Sequence, residues 1–130
     1  MGGDKLRYGF ETLEVYQHAR QFRIKMYSVA GKLPSEEKFS LVPQIRRAAL
    51  SLTNNIAEGH GRFHYKENIH FLHQARGSLQ ELIDDLNVCH DEKYQVKESI
   101  DALKNDAYAL LQKINGYISY LRYEASDEGK

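Results

Sequence analysis

The chain has 130 residues, 42% hydrophobic and 28% charged, with 18 basic side chains balancing 18 acidic ones. That length fits one domain with a single core, and whole-chain neutrality argues against a protein that coats nucleic acid. No apolar run nears the roughly 20 residues that span a bilayer, and the lone Cys89 excludes an intrachain disulfide, as suits a reducing cytoplasm.

Residues 1–9 lack both apolar periodicity and the apolar stretch of a secretory signal, so this segment is predicted to be flexible and the protein cytoplasmic. Residues 10–123 are predicted to form one helical domain. In the first helix Val15, Ala19, Phe22, Met26, Val29 and Leu33 step by four and three. This spacing keeps one stripe facing a partner over many turns. Gly31 and Pro34 end that helix. The second helix carries Ile45, Ala49, Leu52 and Ile56. Its start is open between two caps: with Ser40, Pro43 falls harmlessly in the first turn, whereas with Ser35 it would kink the helix. Gly59 and Gly61 are predicted to end it. The third helix opens at His64–Tyr65 and carries Leu72, Ala75, Leu79, Leu82, Leu86 and Cys89. "HDEKYQ" (His90–Gln95) links it to a fourth with Val96, Ile100, Leu103, Ala107, Leu110, Ile114, Tyr117 and Leu121. The tail 124–130 is predicted to be disordered. No stretch alternates like a strand, and short connections make neighbouring helices antiparallel. The fold class is therefore all-α, an up-down-up-down four-helix bundle.

Charge is unevenly spread. Residues 1–76 hold 12 basic against 7 acidic side chains, or +5, and residues 77–130 hold 6 against 11, or −5. Oppositely charged helices would attract one another within the bundle.

The second and third helices also carry polar stripes. Gln44, Arg47, Ser51, Asn54 or Asn55, and Glu58 recur at the helical step, as do Glu67, His70, Gln74, Ser78, Glu81 and Asp85. Small residues flank both stripes, and Gly77 is expected to mark a close helix contact. Three readings compete. The stripes are a solvated face; or a polar network or subunit interface built from Gln44, Arg47, Ser51, Asn55, Glu58, Ser78 and Glu81; or a nucleic-acid surface whose phosphate contacts come from Arg46, Arg47, Arg62 and Arg76. Arg47 or Arg76 would pair with Glu58 or Glu81.

"QIRRAALSLTNNIAEGHGR" (Gln44–Arg62) followed by "FLHQARGSLQEL" (Phe71–Leu82) resembles the four-helix-bundle family named for 23S ribosomal RNA intervening sequences. The opening "FETLEVYQHARQF" and the close "INGYISYLR" are similar to it too, so the resemblance covers residues 10–122. It implies a left-handed up-down-up-down bundle that assembles as a homopentamer, in small bacterial proteins without established enzymatic activity. The fold is also similar to the accessory variability proteins of diversity-generating retroelements, which are basic and partner a reverse transcriptase and nucleic acid; this chain differs in being neutral. On this resemblance the polar stripes serve packing and assembly, and the expected partners are copies of the chain and RNA or an RNA-associated protein.

No catalytic constellation stands out, so no enzymatic role and no cofactor are expected. Asp84 and Asp85 are adjacent and point to different helix sides. Gly59–Gly61 lacks the strand and lysine of a phosphate loop. Cys89 sits on an apolar seam and reads as inert. The alternative is a metal- or small-molecule-binding bundle using His60, His64, His70 and His73, since imidazoles one turn apart suit zinc or nickel.

Overall fold

The computed structural model describes residues 9–128, with side chains through residue 126. Four helices, α1 (Glu14–Gly31), α2 (Leu41–His60), α3 (Tyr65–Asp91) and α4 (Lys97–Glu128), are joined with two short 3-10 turns at Phe10–Thr12 and Ser35–Glu37. No strand occurs among the described residues, as the periodicity requires. The flexible segment expected at residues 1–9 falls, Gly9 apart, outside the described residues.

The helices pack in the order α1–α2–α3–α4, with the heaviest contact between α2 and α3 and the lightest closing α1 onto α4. Cross-helix pairs fix the registers. Glu14 meets Lys113 and Lys25 meets Asp106, both at 2.6 Å, between α1 and α4. Arg23 of α1 donates to Thr53 Oγ1 of α2 at 2.8 Å. Among the described residues, no helix is long and apolar enough to cross a membrane.

The seams of α1, α2 and α3 form the core, with Leu33 only partly buried. The buried side chains are apolar apart from Thr53, Asn68, Ser78 and Asp85, so side-chain burial at about 1.5–3 kcal/mol for each large apolar group is the main force opposing chain entropy. On α4 two positions differ. Val96 is exposed because it precedes Lys97, where the helix begins, and helical phase does not extend to it. Ile118 is buried where Tyr117 was expected; both continue the three-and-four step from Ile114 to Leu121, and the β-branched side chain takes the interior while Tyr117 lies half-buried beside it.

Helix ends settle the open boundaries. Ser40 is the residue before α2, and Pro43 is the helix's third residue, where no intrahelical N–H partner is needed. Ser40 does not cap with its own side chain; its hydroxyl donates to Glu37 Oε1 at 2.6 Å. Glu37 does the capping instead. Oε1 also accepts from the Leu41 N–H at 3.4 Å, and Oε2 accepts from the Tyr94 hydroxyl at 2.7 Å. These donors, Ser40 and Tyr94 foremost, hold the Glu37 carboxyl below its usual range, and the same bond pushes the Tyr94 phenol up to about 12. One carboxylate thereby ties the start of α2 to the α3–α4 connection.

Gly59 does not end α2. It lies buried inside the helix, which runs to His60 and is followed by Gly61. A Cβ on Gly59 would sit 2.7 Å from Asn68 Oδ1, 2.9 Å from Phe71 Cβ and 3.1 Å from the Asn68 carbonyl oxygen, so this glycine lets α3 approach. Gly77, expected in that role, has nothing within 4 Å of its notional Cβ. After α3, Lys93 adopts φ 61° and the Tyr94 N–H bonds back to the Cys89 carbonyl at 2.9 Å, a left-handed helix end usually built with glycine. Finally, α4 continues through Glu128, where a disordered tail was expected from residue 124. Glu, Ala, Ser and Asp all tolerate a helix, and no Gly or Pro interrupts before Gly129.

Candidate functional site

The polar stripes of α2 and α3 meet in part, and within one chain. Gln44 Nε2 donates to Asp85 Oδ1 at 3.0 Å. About two turns further along α2, Ser51 Oγ lies 2.9 Å from Ser78 Oγ and 3.0 Å from the Asn55 amide nitrogen, which also donates to the Ser51 carbonyl at 2.9 Å. Gln44 with Asp85, and Ser51 with Asn55 and Ser78, thus form two separate sets of polar contacts along the α2–α3 seam. Arg47 and Glu81 lie exposed and outside both. Glu58 pairs with Arg62 at 2.7 Å and Arg76 bonds Asn115 at 2.8 Å, so the expected pairs of Arg47 or Arg76 with Glu58 or Glu81 do not form.

Asp85 is the least expected member of the seam. It is 1% exposed, and its Oδ2 has no hydrogen-bond partner. Burial first, then the charges of Asp84 and Glu81, push its carboxyl up to about 6, against the opposing bond from Gln44. Its neighbour Asp84 is exposed, so the two adjacent carboxylates do point apart as expected. Two further buried polar groups escaped the sequence reading. Thr53 accepts the Arg23 guanidinium and donates to the Leu50 carbonyl at 3.3 Å. Asn68 is buried against Gly59 with Oδ1 unpaired. Helical phase could have flagged Asn68, which lies one turn before Leu72 on the apolar seam.

The four arginines proposed for nucleic acid have different helix partners. Arg46 lies 5.7 Å from the Tyr27 ring centroid, on the α1–α2 side. Arg62 stacks on Phe71 at 4.8 Å while holding Glu58. Arg76 reaches Asn115 on the α3–α4 side, and Arg47 is exposed on α2. Since α1–α2 and α3–α4 are opposite flanks of the packing order, Arg46 and Arg76 do not share a face.

The histidines also separate. His64 and His70 line an open depression of about 620 Å³ with Lys66, Glu67 and Phe71. His70 Nε2 accepts from Gln74 at 3.2 Å. His73 instead faces α4, where Arg122 Nη2 donates to its Nε2 at 3.4 Å. Burial first, then Arg76, Arg122 and His70, hold the His73 imidazole below the usual histidine range. His60 is half-buried at the end of α2. Among the described residues no three His, Cys, Asp or Glu side chains are grouped to hold a metal ion. Cys89 lies in the core, and burial pushes its thiol up to about 11.

A different surface is apolar. Ile24 (52% exposed) and Tyr27 (37%) on α1, and Leu50 (44%) on α2, lie beside the Arg23–Thr53 and Tyr27–Arg46 contacts. Helical spacing puts Arg46, Leu50 and Thr53 on one side of α2, the side that meets Arg23 and Tyr27 of α1.

No curated protein matches the chain. A solved structure from Bacteroides thetaiotaomicron, described as a protein with unknown function from the S23 ribosomal protein family, is similar in fold, with a TM-score of 0.74 and 22% identity over 80% of this chain and 97% of that one. The family described as 23S rRNA-intervening sequence protein matches residues 11–116, which span the first three helices and more than half of the fourth. The four-helix architecture and this match together identify the chain as a member of the 23S rRNA-intervening sequence protein family.

Proposed function

We propose that the protein is a non-catalytic module that self-assembles and presents a binding surface to RNA or to an RNA-associated protein such as a reverse transcriptase. The observation that carries this reading is the exposure of Ile24, Tyr27 and Leu50 together on the α1–α2 flank, three of the large apolar and aromatic side chains that the chain leaves open to water. A second copy would remove them from water. Within each copy the helices run up-down-up-down with a left-handed twist; the opposed pairings of Glu14 with Lys113 and Lys25 with Asp106 support the antiparallel α1–α4 register. The assembly is a cytoplasmic homopentamer.

Light scattering across a dilution series tests it. The expected mass is about five times the 15.1 kDa chain, falling toward one chain for the pair Ile24→Asp and Leu50→Asp. A single-chain mass at every concentration, or an assembly that ignores both substitutions, would sink the reading. One observation favours a second reading, a small-molecule or metal site: the depression lined by His64, Glu67 and His70. Stoichiometric metal in untagged protein, lost in His70→Ala, would establish that alternative.

A further inference from the structure

We infer that Arg76, Arg122 and His73, framed by Asn115, form a binding site for a phosphate group on the α3–α4 face. It goes beyond the assembly reading and holds whether or not copies associate.

The geometry is that of a cation cluster without a counter-ion. Arg122 reaches His73 from α4, Arg76 lies three residues along α3 from His73, and both guanidiniums act on its imidazole. Yet the partners of the two guanidiniums are neutral acceptors. Arg76 Nη1 donates to the Asn115 amide oxygen at 2.8 Å, and Arg122 Nη2 donates to His73 Nε2 at 3.4 Å. Among the described residues neither arginine is within ion-pair distance of a carboxylate, although the chain has 18 acidic side chains. Each guanidinium carries five N–H donors, so one bond apiece leaves most of them available. Like charges gathered without a compensating acid are unfavourable, and a chain that is neutral overall has no general excess of cations to explain it.

The chemistry selects the ligand. Guanidinium forks match the oxygens of phosphate in paired, charge-assisted bonds. The bond from Arg122 requires His73 Nε2 to be an unprotonated acceptor. A phosphate drawing Arg122 away would release that nitrogen, and the anion's charge would favour the protonated ring, adding one more donor. Binding is therefore linked to proton uptake at His73. The groups that act on His73 are His70 and Arg76 on its own helix and Arg122 on α4; all are cationic or neutral, so they oppose its protonation until an anion arrives. The phosphate could belong to an RNA backbone or to a small phosphorylated molecule.

The test follows the histidine ring signals by NMR in protein carrying ¹³Cε1-labelled histidine. The pH titration is run in inorganic phosphate, then with a short single-stranded RNA, each against chloride at equal ionic strength. His73 should titrate at higher pH in phosphate. His18 and His90, which lie 3.8 Å from Glu14 and Asp91 and away from the site, serve as internal references. The Arg76→Gln, Arg122→Gln double variant should abolish the response, with circular dichroism checking its fold. In fluorescence anisotropy it should weaken RNA binding by about tenfold or more and lower the salt slope by about 0.7 for each lost contact with single-stranded RNA. A response to both ligands assigns the site to RNA phosphodiesters. A response to inorganic phosphate alone assigns it to small phosphorylated molecules. If neither ligand moves His73, the inference is overturned, even where RNA binds elsewhere and the double variant retains that binding. His73→Gln should keep phosphate binding but remove its coupling to protons, which a merely structural histidine would not do.

Discussion

Replacing Asp85 with Asn removes one buried charge while keeping the shape of the side chain and an oxygen for Gln44. The carboxyl titrates at about 6 in the fold, against 3.8 for an unburied aspartate. At about 1.36 kcal/mol per unit, its charged form costs the folded state on the order of 3 kcal/mol. The sign follows from proton counts. Between the two values the folded chain holds a proton that the unfolded chain has released, so stability falls as pH rises through this window. The penalty is absent below the unfolded value and complete above the folded one. Asp85→Asn should therefore match the parent protein near pH 4 and exceed it by about 2–3 kcal/mol near pH 8, on the order of 10 °C in Tm. The unpaired Oδ2 becomes an unpaired amide, so that burden is common to both proteins. Urea melts across this pH range, read as the difference between the two proteins, cancel the titration of exposed carboxylates such as Glu14 and Asp101. A difference independent of pH, or a variant no more stable at high pH than at low, would refute the claim that a desolvated charge sits in the α2–α3 seam.

Two glycines should respond oppositely to alanine. Gly59→Ala should lose about 1–3 kcal/mol, because the new Cβ meets the Asn68 carbonyl and Phe71 Cβ, which cannot move independently of their helix. Gly77→Ala, with open space around it, should gain about 0.5–1 kcal/mol in denaturant melts; a loss there would mean that something packs on that face. Lys93→Gly should stabilise by about 1 kcal/mol, since φ 61° strains a lysine and not a glycine. Cys89 should resist an aromatic disulfide reagent near neutral pH until the chain unfolds, because its thiol is buried and titrates at about 11; rapid labelling of the native protein would contradict its placement in the core.

Four helices, and most of the side chains that hold them together, were legible from residue order alone. The three-and-four apolar step is a local property, and any helix bearing it must bury that face. Ser40 before Pro43 was already among the readable starts, and the structure chose it because Glu37, held by Tyr94 from a distant connection, completes the cap. What residue order left open concerns distance between segments. Gly59 and Gly77 look alike in a sequence, yet only Gly59 has another helix pressed against it. Of the polar stripes, Ser51, Asn55 and Ser78 turn inward to partners and Gln44 reaches Asp85 from the surface, while Arg47 and Glu81 face water; a few tens of degrees around the helix decide which. Arg122 belonged to no stripe and comes to His73 only because α4 packs against α3. Helical periodicity reports which face of a segment turns inward; which groups meet there, and whether a charge finds an opposite one, depends on packing that links residues far apart in the chain.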